Sequence, residues 1–244
     1  MPDFPIVDTH VHLYDPNAIA YGWMADSPIL NRRHASEEYT AAIGDTVVEK
    51  LVFVEVAADA GRHLDEARWV ADLATRDPRI SAIVGAIPLE MGRAVEADIA
   101  EFAAMPLARN VRRLIQGHVD EPGWSLTPEF LEGVRLVGEH GLGFEICIYH
   151  PQMEEAVELV RRSPDTMSFV LNHIGKPGIR DGLAEPWRSQ MRDMAALPNV
   201  VCKISGVVTE DDHQSWTYER VAPYVEHAID SFGFGRVMFG GDWP

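Results

Sequence analysis

Two imidazoles stand two residues apart in Ile6-Val7-Asp8-Thr9-His10-Val11-His12, at the end of an apolar run. In a β-strand, residues i and i+2 share a face, so His10 and His12 project side by side from one strand tip. That arrangement suits two ligands to one divalent metal, or two hydrogen-bonding groups around one reacting carbonyl. A polar pair closing a surface strand fits this segment alone equally well. Other residues able to do chemistry close later apolar runs: Glu55, His118, His150, His173, Ser205 and Asp242.

The elements that must position these groups alternate along the chain. Strand-like runs are expected at 6–13, 50–57, 80–89, 111–118, 143–150, 168–175, 200–206 and 236–241. Helical stretches lie between them at 62–76, 93–105, 128–140, 153–162, 186–197 and 218–232. In Leu64–Arg76, the positions of Ala67, Val70, Ala71 and Ala74 follow helical spacing, with charges on the other side. Thr127 and Ser36 fit as N-caps, and Pro106, Pro164 and Pro198 as stops. Eightfold strand–helix alternation is the pattern of a (β/α)8 TIM barrel. The runs are continuous rather than alternating, as parallel strands covered on both faces require. A doubly wound sheet is the competing fold. The barrel is preferred because reactive residues recur at strand carboxyl ends, where barrel active sites are built.

The chain is read as one domain, 1–244. It stops at Asp242-Trp243-Pro244, directly after the eighth strand. The helix that would cover that strand is missing from the pattern. This suggests a C-terminally truncated chain or an unusual seam, with exposed apolar surface there.

With 46% apolar and 24% charged residues, the composition is that of an ordinary globular protein. The net charge of −17 argues against a nucleic-acid or membrane partner. No run is apolar and long enough to span a bilayer, and the N-terminus shows no leader pattern. Cys147 and Cys202 sit in apolar runs and read as buried free thiols, pointing to a cytoplasmic protein.

Four motifs occur in order: VDTHVHLYDP, LNHIGKP, VCKISG and RVMFGGDWP. Together they resemble the amidohydrolase superfamily, in its amidohydrolase-2 branch of sugar-lactonase-like proteins. That branch includes L-fuconolactonase and L-rhamnonolactonase. The resemblance implies a barrel hydrolase of carbohydrate metabolism that opens lactones at the strand carboxyl ends. It maps His10 and His12 onto the first-strand His-x-His, and Arg112 and Gln116 onto a fourth-strand Arg-x-x-x-Gln. His173 matches the sixth-strand histidine, and Asp242 the last-strand aspartate. Asn172 and Gly241 depart from the usual Asp and Ser of their motifs, without removing a reacting group. His150, in Tyr-His-Pro, is similar to the fifth-strand histidine of decarboxylases in the same superfamily.

Lactone hydrolysis needs a water, a base for its proton, and a group to hold the developing oxyanion. Asp242 is the expected base and His173 the expected oxyanion or orienting group. His10, His12 and Asp242 are the expected ligands of at most one divalent metal, zinc or manganese, with His150 or His173 as a further ligand. A metal-free site remains open. No lysine is placed to bridge two metals; Arg113 occupies the neighbouring position on the fourth strand. Arg112, Gln116, Lys176 and His118 are the expected substrate-binding residues. For Arg112 the alternative is an internal ion pair, for Gln116 a structural amide, and for Lys176 a loop cap. Lys203, inside an apolar strand, needs a partner, and Glu55 and Glu145 are natural partners for the buried cations. Trp23 reads as a packed loop aromatic or a platform for a sugar ring. The alternatives to a lactonase are a metal-dependent non-oxidative decarboxylase and an inactive ligand-binding barrel. A homodimer fits the branch.

Overall fold

Short β-branched runs form eight parallel strands: β1 Ile6–Val11, β2 Val48–Val54, β3 Ile80–Ala86, β4 Ala108–Leu114, β5 Gly143–Cys147, β6 Phe169–Leu171, β7 Val200–Ile204 and β8 Val237–Phe239. They pair in sequence order in one sheet. This computed structural model describes residues 4–244. Met1–Asp3, part of the segment read for a leader, lie outside the described residues. The sheet closes through the chain after β8. Asp242 N–H donates to His10 O at 2.8 Å, and His12 N–H to Trp243 O at 2.8 Å. The result is the expected (β/α)8 barrel. All five residues of β5 are buried, which is why strands of this kind read as unbroken apolar runs.

Seven α-helices lie among the described residues: α1 Ser36–Ile43, α2 His63–Ala74, α3 Glu96–Ala103, α4 Pro128–Glu139, α5 Met153–Arg162, α6 Trp187–Ala195 and α7 Tyr218–Phe232. Helix α5 shows the logic. Met153, Ala156, Val157, Leu159 and Val160 are buried, while Glu154 and Glu155 open the helix and Arg161 and Arg162 close it. The charges thereby complement the helix dipole. Thr127 Oγ1 accepts the Phe130 N–H, as its capping role requires. Ser36 is not a cap: Ala35 holds that position, and Glu38 accepts the Ala35 N–H at 2.9 Å. The buried face of α2 is turned from the expected one. Glu66, Ala67, Val70 and Leu73 point inward, so a carboxylate lies in the core.

The strands end earlier than expected. Beyond Leu114, Cys147 and Leu171 the chain enters short 3₁₀ turns, which carry His118, His150 and His173. At the closing seam, Val7 and Phe239 are 47% and 52% exposed. Both cysteines are buried and free. No helix among the described residues is long and apolar enough to cross a membrane.

Candidate active site

Three imidazoles gather around one carboxylate oxygen at the carboxyl end of the barrel. Asp242 Oδ1 lies 3.4 Å from His10 Nε2, 3.4 Å from His12 Nε2 and 3.8 Å from His173 Nε2. Strand β1 supplies His10, and His12, one residue beyond its end, continues the two-residue repeat. The turn after β6 supplies the third through an uncommon backbone: His173, Ile174, Gly175 and Lys176 all have positive φ. Only Gly175 adopts this conformation without steric cost, and strain of this kind concentrates at functional sites. Asp242 itself has φ of 60°. Its loop is held by Asp8, which accepts the N–H groups of Gly241 at 2.7 Å and His10 at 3.1 Å and the Tyr39 hydroxyl at 2.9 Å. Burial raises the Asp8 pKa, and these three donors oppose it.

The hydrogen bonds fix which nitrogens carry protons. His12 Nδ1 sits 2.9 Å from Val54 O, which can only accept, so Nδ1 carries a proton and Nε2 is the nitrogen turned to Asp242. Arg112 Nη1 lies 3.3 Å from His10 Nε2; a guanidinium only donates, so that nitrogen is bare. Burial holds the His10 pKa well below its ordinary value, reinforced by His173 and Lys203, so the ring is neutral. Burial likewise lowers His173 to about 3. Asp242 stands at about 2: burial pushes it up, but His173, His12 and Arg112 outweigh that. The neutral His10 ring, the Nε2 of His12 and the ionised Asp242 oxygen therefore face one another. The donor atoms of His10, His12 and Asp242 all lie within 4.8 Å of one another. An N,N,O donor set this compact suits one zinc with an open position. The residues fit a single divalent ion.

Two buried ion pairs frame this centre. Arg112 Nε donates to Glu55 Oε1 at 2.6 Å and Nη2 to Glu55 O at 2.7 Å. Lys203 Nζ donates to Glu145 at 2.7 and 2.9 Å. Asn172 joins them: its amide donates to Glu145 at 2.8 Å, and its carbonyl faces Arg112 Nη1 at 3.5 Å. A pocket of about 580 Å³ opens over the centre, with Lys176, Gln116, Tyr14, Trp23 and Leu30 among its lining residues. That volume suits a small-molecule site.

A family profile described as Amidohydrolase matches residues 7–244. The chain belongs to the amidohydrolase family. The L-fucono-1,5-lactonase of Burkholderia multivorans is 31% identical over 253 residues, spanning 98% of this chain and 81% of that protein. The L-fucono-1,5-lactonase of Burkholderia ambifaria is 34% identical over 181 residues, 74% of this chain and 61% of that one. An amidohydrolase structure from Burkholderia multivorans with bound zinc matches with a TM-score of 0.85 and 28% identity, covering 99% of this chain and 85% of that one.

Within this amidohydrolase, several expected site residues sit elsewhere. His118 does not line the pocket: its ring stacks on Trp124 at 3.6 Å, and Nδ1 pairs with Glu121 at 2.8 Å. It lies four residues past the true end of β4, and the turn directs it outward. His150 does not join the cluster of His10, His12 and Asp242; its Nε2 lies 3.2 Å from where a Cβ on Gly178 would stand. Arg112 reaches the pocket, but Glu55 occupies most of its fork, so the internal ion pair describes it better than a substrate clamp. Lys176 and Gln116 do line the pocket and bond each other at 2.6 Å. Trp23 is 57% exposed at the mouth rather than packed, with Nε1 donating to Val56 O at 2.9 Å. Lys203 and Glu145 pair as burial demands. Sequence reasoning gave no role to Asp8, and it missed the Ser205 bond to His173 Nδ1 at 2.9 Å. Gly206 is also essential to the geometry: a Cβ there would lie 2.3 Å from Asp242 Oδ2 and 2.8 Å from His173 Nδ1.

Proposed function

We propose that this amidohydrolase opens a sugar-acid or carboxylated lactone by attack of water on the ring carbonyl. The observation that carries the reading is the convergence of His10, His12 and His173 on Asp242 Oδ1 beneath a small-molecule pocket. The named lactonase relatives give the substrate class its direction.

Asp242 is ionised at neutral pH and accepts the proton of the attacking water, then returns it to the leaving alkoxide. A carboxylate with a pKa of about 2 is a weak base for free water. A divalent ion held by His10, His12 and Asp242 would supply what is lacking, since such an ion lowers the pKa of bound water towards neutrality. Zinc and manganese are the proposed ions. The neutral His173 ring can donate: with the Ser205 hydroxyl, 2.9 Å away, donating to Nδ1, the ring proton sits on Nε2, which faces Asp242 Oδ1 at 3.8 Å. That N–H stabilises the developing oxyanion without a proton having to be lost first. Lys176 and Gln116 bind the substrate carboxylate or hydroxyls. The decarboxylase reading required His150 beside the cluster, and its ring lies elsewhere.

The test is a pH-indicator assay across aldonolactones with added zinc or manganese. Asp242→Asn is expected to lower kcat by about a thousandfold or more while the melting temperature holds. Near-normal turnover in that variant would reject Asp242 as the base.

A further inference from the structure

A second chamber, also about 580 Å³, adjoins the catalytic pocket over the ends of β2, β3 and β4. The two share Glu55, Ala57, Ala58, Asp59, Arg112 and Leu114 as lining residues. Among these shared residues, Ala57 and Ala58 carry small side chains. Ala57 is held there at a φ of 55°, with its N–H donated to Glu55 Oε2 at 2.7 Å. A non-glycine residue kept left-handed at such a point is strain retained at a site.

The second chamber's own chemistry differs from the first. Its charges come paired: Arg113 binds Glu90 through Nε at 2.9 Å, and His63 Nε2 lies 2.9 Å from Asp98. Asp59 adds a further carboxylate, bonded at one oxygen to the Gly22 N–H. Arg113 Nη1 has no partner among the described residues. Paired ions of this kind show acceptors and donors side by side, which matches hydroxyl groups that do both. The surplus of carboxylates repels an anionic group. Met91, 57% exposed, supplies an apolar surface for a ring face.

We infer that the second chamber is a subsite for a neutral polyhydroxylated unit, so the preferred substrate is the lactone of a glycosylated sugar acid rather than of a single sugar. The inference rests on the lactonase reading for the reaction, but the subsite is tested by binding alone. One six-membered lactone fills only part of the first pocket. A hexosyl group attached across the ring from the carbonyl passes over Ala57 and Ala58 into the second chamber. Its hydroxyls then meet Asp59, Asp98 and Arg113.

The experiment is titration calorimetry on the zinc-loaded protein, with hexonic acids of gluco, galacto and manno configuration. Each acid is compared with its 4-O-hexosyl derivative. For at least one configuration the glycosylated acid is expected to bind at least about tenfold tighter, which is 1.4 kcal/mol. Asp98→Ala and Arg113→Ala, both lining only the second chamber, are expected to erase that advantage. If no glycosylated acid binds more tightly than its parent, or none binds at all, the subsite is rejected. The matching lactones are assayed separately. Ring opening without a glycosyl advantage removes the subsite and leaves the lactonase. A glycosyl advantage in binding without ring opening removes the chemistry and keeps the subsite.

Discussion

Removing Lys203 should expose how much the site depends on a charge pair that never meets substrate. Lys203 and Glu145 are each 1% exposed. Glu145 also accepts from the side chains of Asn172 at 2.8 Å and Asn110 at 3.1 Å. Lys203→Met keeps the volume and strands the carboxylate. Breaking one partner of a buried pair costs about 3–5 kcal/mol. The two remaining amides place the loss near about 3 kcal/mol. For a chain of this size each kcal/mol is about 2–4 °C in Tm, so a drop of about 6–12 °C is expected by calorimetry at neutral pH. The sign of the pH dependence is fixed. In the intact protein, burial pushes the Glu145 pKa up, but Lys203 and the amides hold it below its ordinary 4.5. Its stabilisation is therefore present above that pH and lost in acid. Without Lys203 the carboxyl's folded pKa rises above the unfolded one. The variant's deficit then grows as pH rises above about 4.5 and shrinks in acid. Lys203→Met with Glu145→Gln removes the charge while leaving an acceptor for the amides, and should recover more than half of the loss. A single variant melting within about 2 °C of the parent from pH 5 to 9 would refute the reasoning.

Other consequences follow from the same geometry. Burial and the Glu55 charge raise the Glu66 pKa from 4.5 to about 8, so the folded state holds a proton that the unfolded chain releases. Stability should fall between about pH 4.5 and 8 on this account, and Glu66→Gln should flatten that slope in urea titrations. Ser205→Ala frees His173 Nδ1 and should cost about 10–100-fold in kcat with little change in Tm, whereas an unchanged rate would detach Ser205 from the site. Gly206→Ala drives a methyl against Asp242 and His173, and should reduce both kcat and zinc content measured by elemental analysis; full zinc loading with full activity would contradict the close packing. His12→Ala should abolish tight zinc binding without unfolding the barrel.

The sequence disclosed most where a rule admits one answer. His10 and His12 share a face because extended side chains repeat every two residues, and the His12 N–H bond to Trp243 O keeps the chain extended one residue past β1. Buried cations need anions, so Arg112 and Lys203 pointed to Glu55 and Glu145 before any coordinate did. The reading failed at strand ends. Apolar character continues through Ile115 and Ile148 after the hydrogen-bonded ladders of β4 and β5 have stopped. His118 and His150 were therefore assigned directions that only a continuing strand would give. His173 also lies past its strand, yet it points inward, because a left-handed turn swings it there. Only Gly175 hints at that turn in the sequence. Glu66 escaped notice because charges on an amphipathic helix are read as solvated, and α2 is rotated so that this one is not. Asp8 escaped for the opposite reason: inside a reactive motif it was taken as background to the histidines. It in fact joins β1 to the Asp242 loop across the barrel's closing seam. The reactive geometry thus depends on that closure, because the histidines of β1 and the aspartate after β8 meet only when the two ends of the sheet are joined.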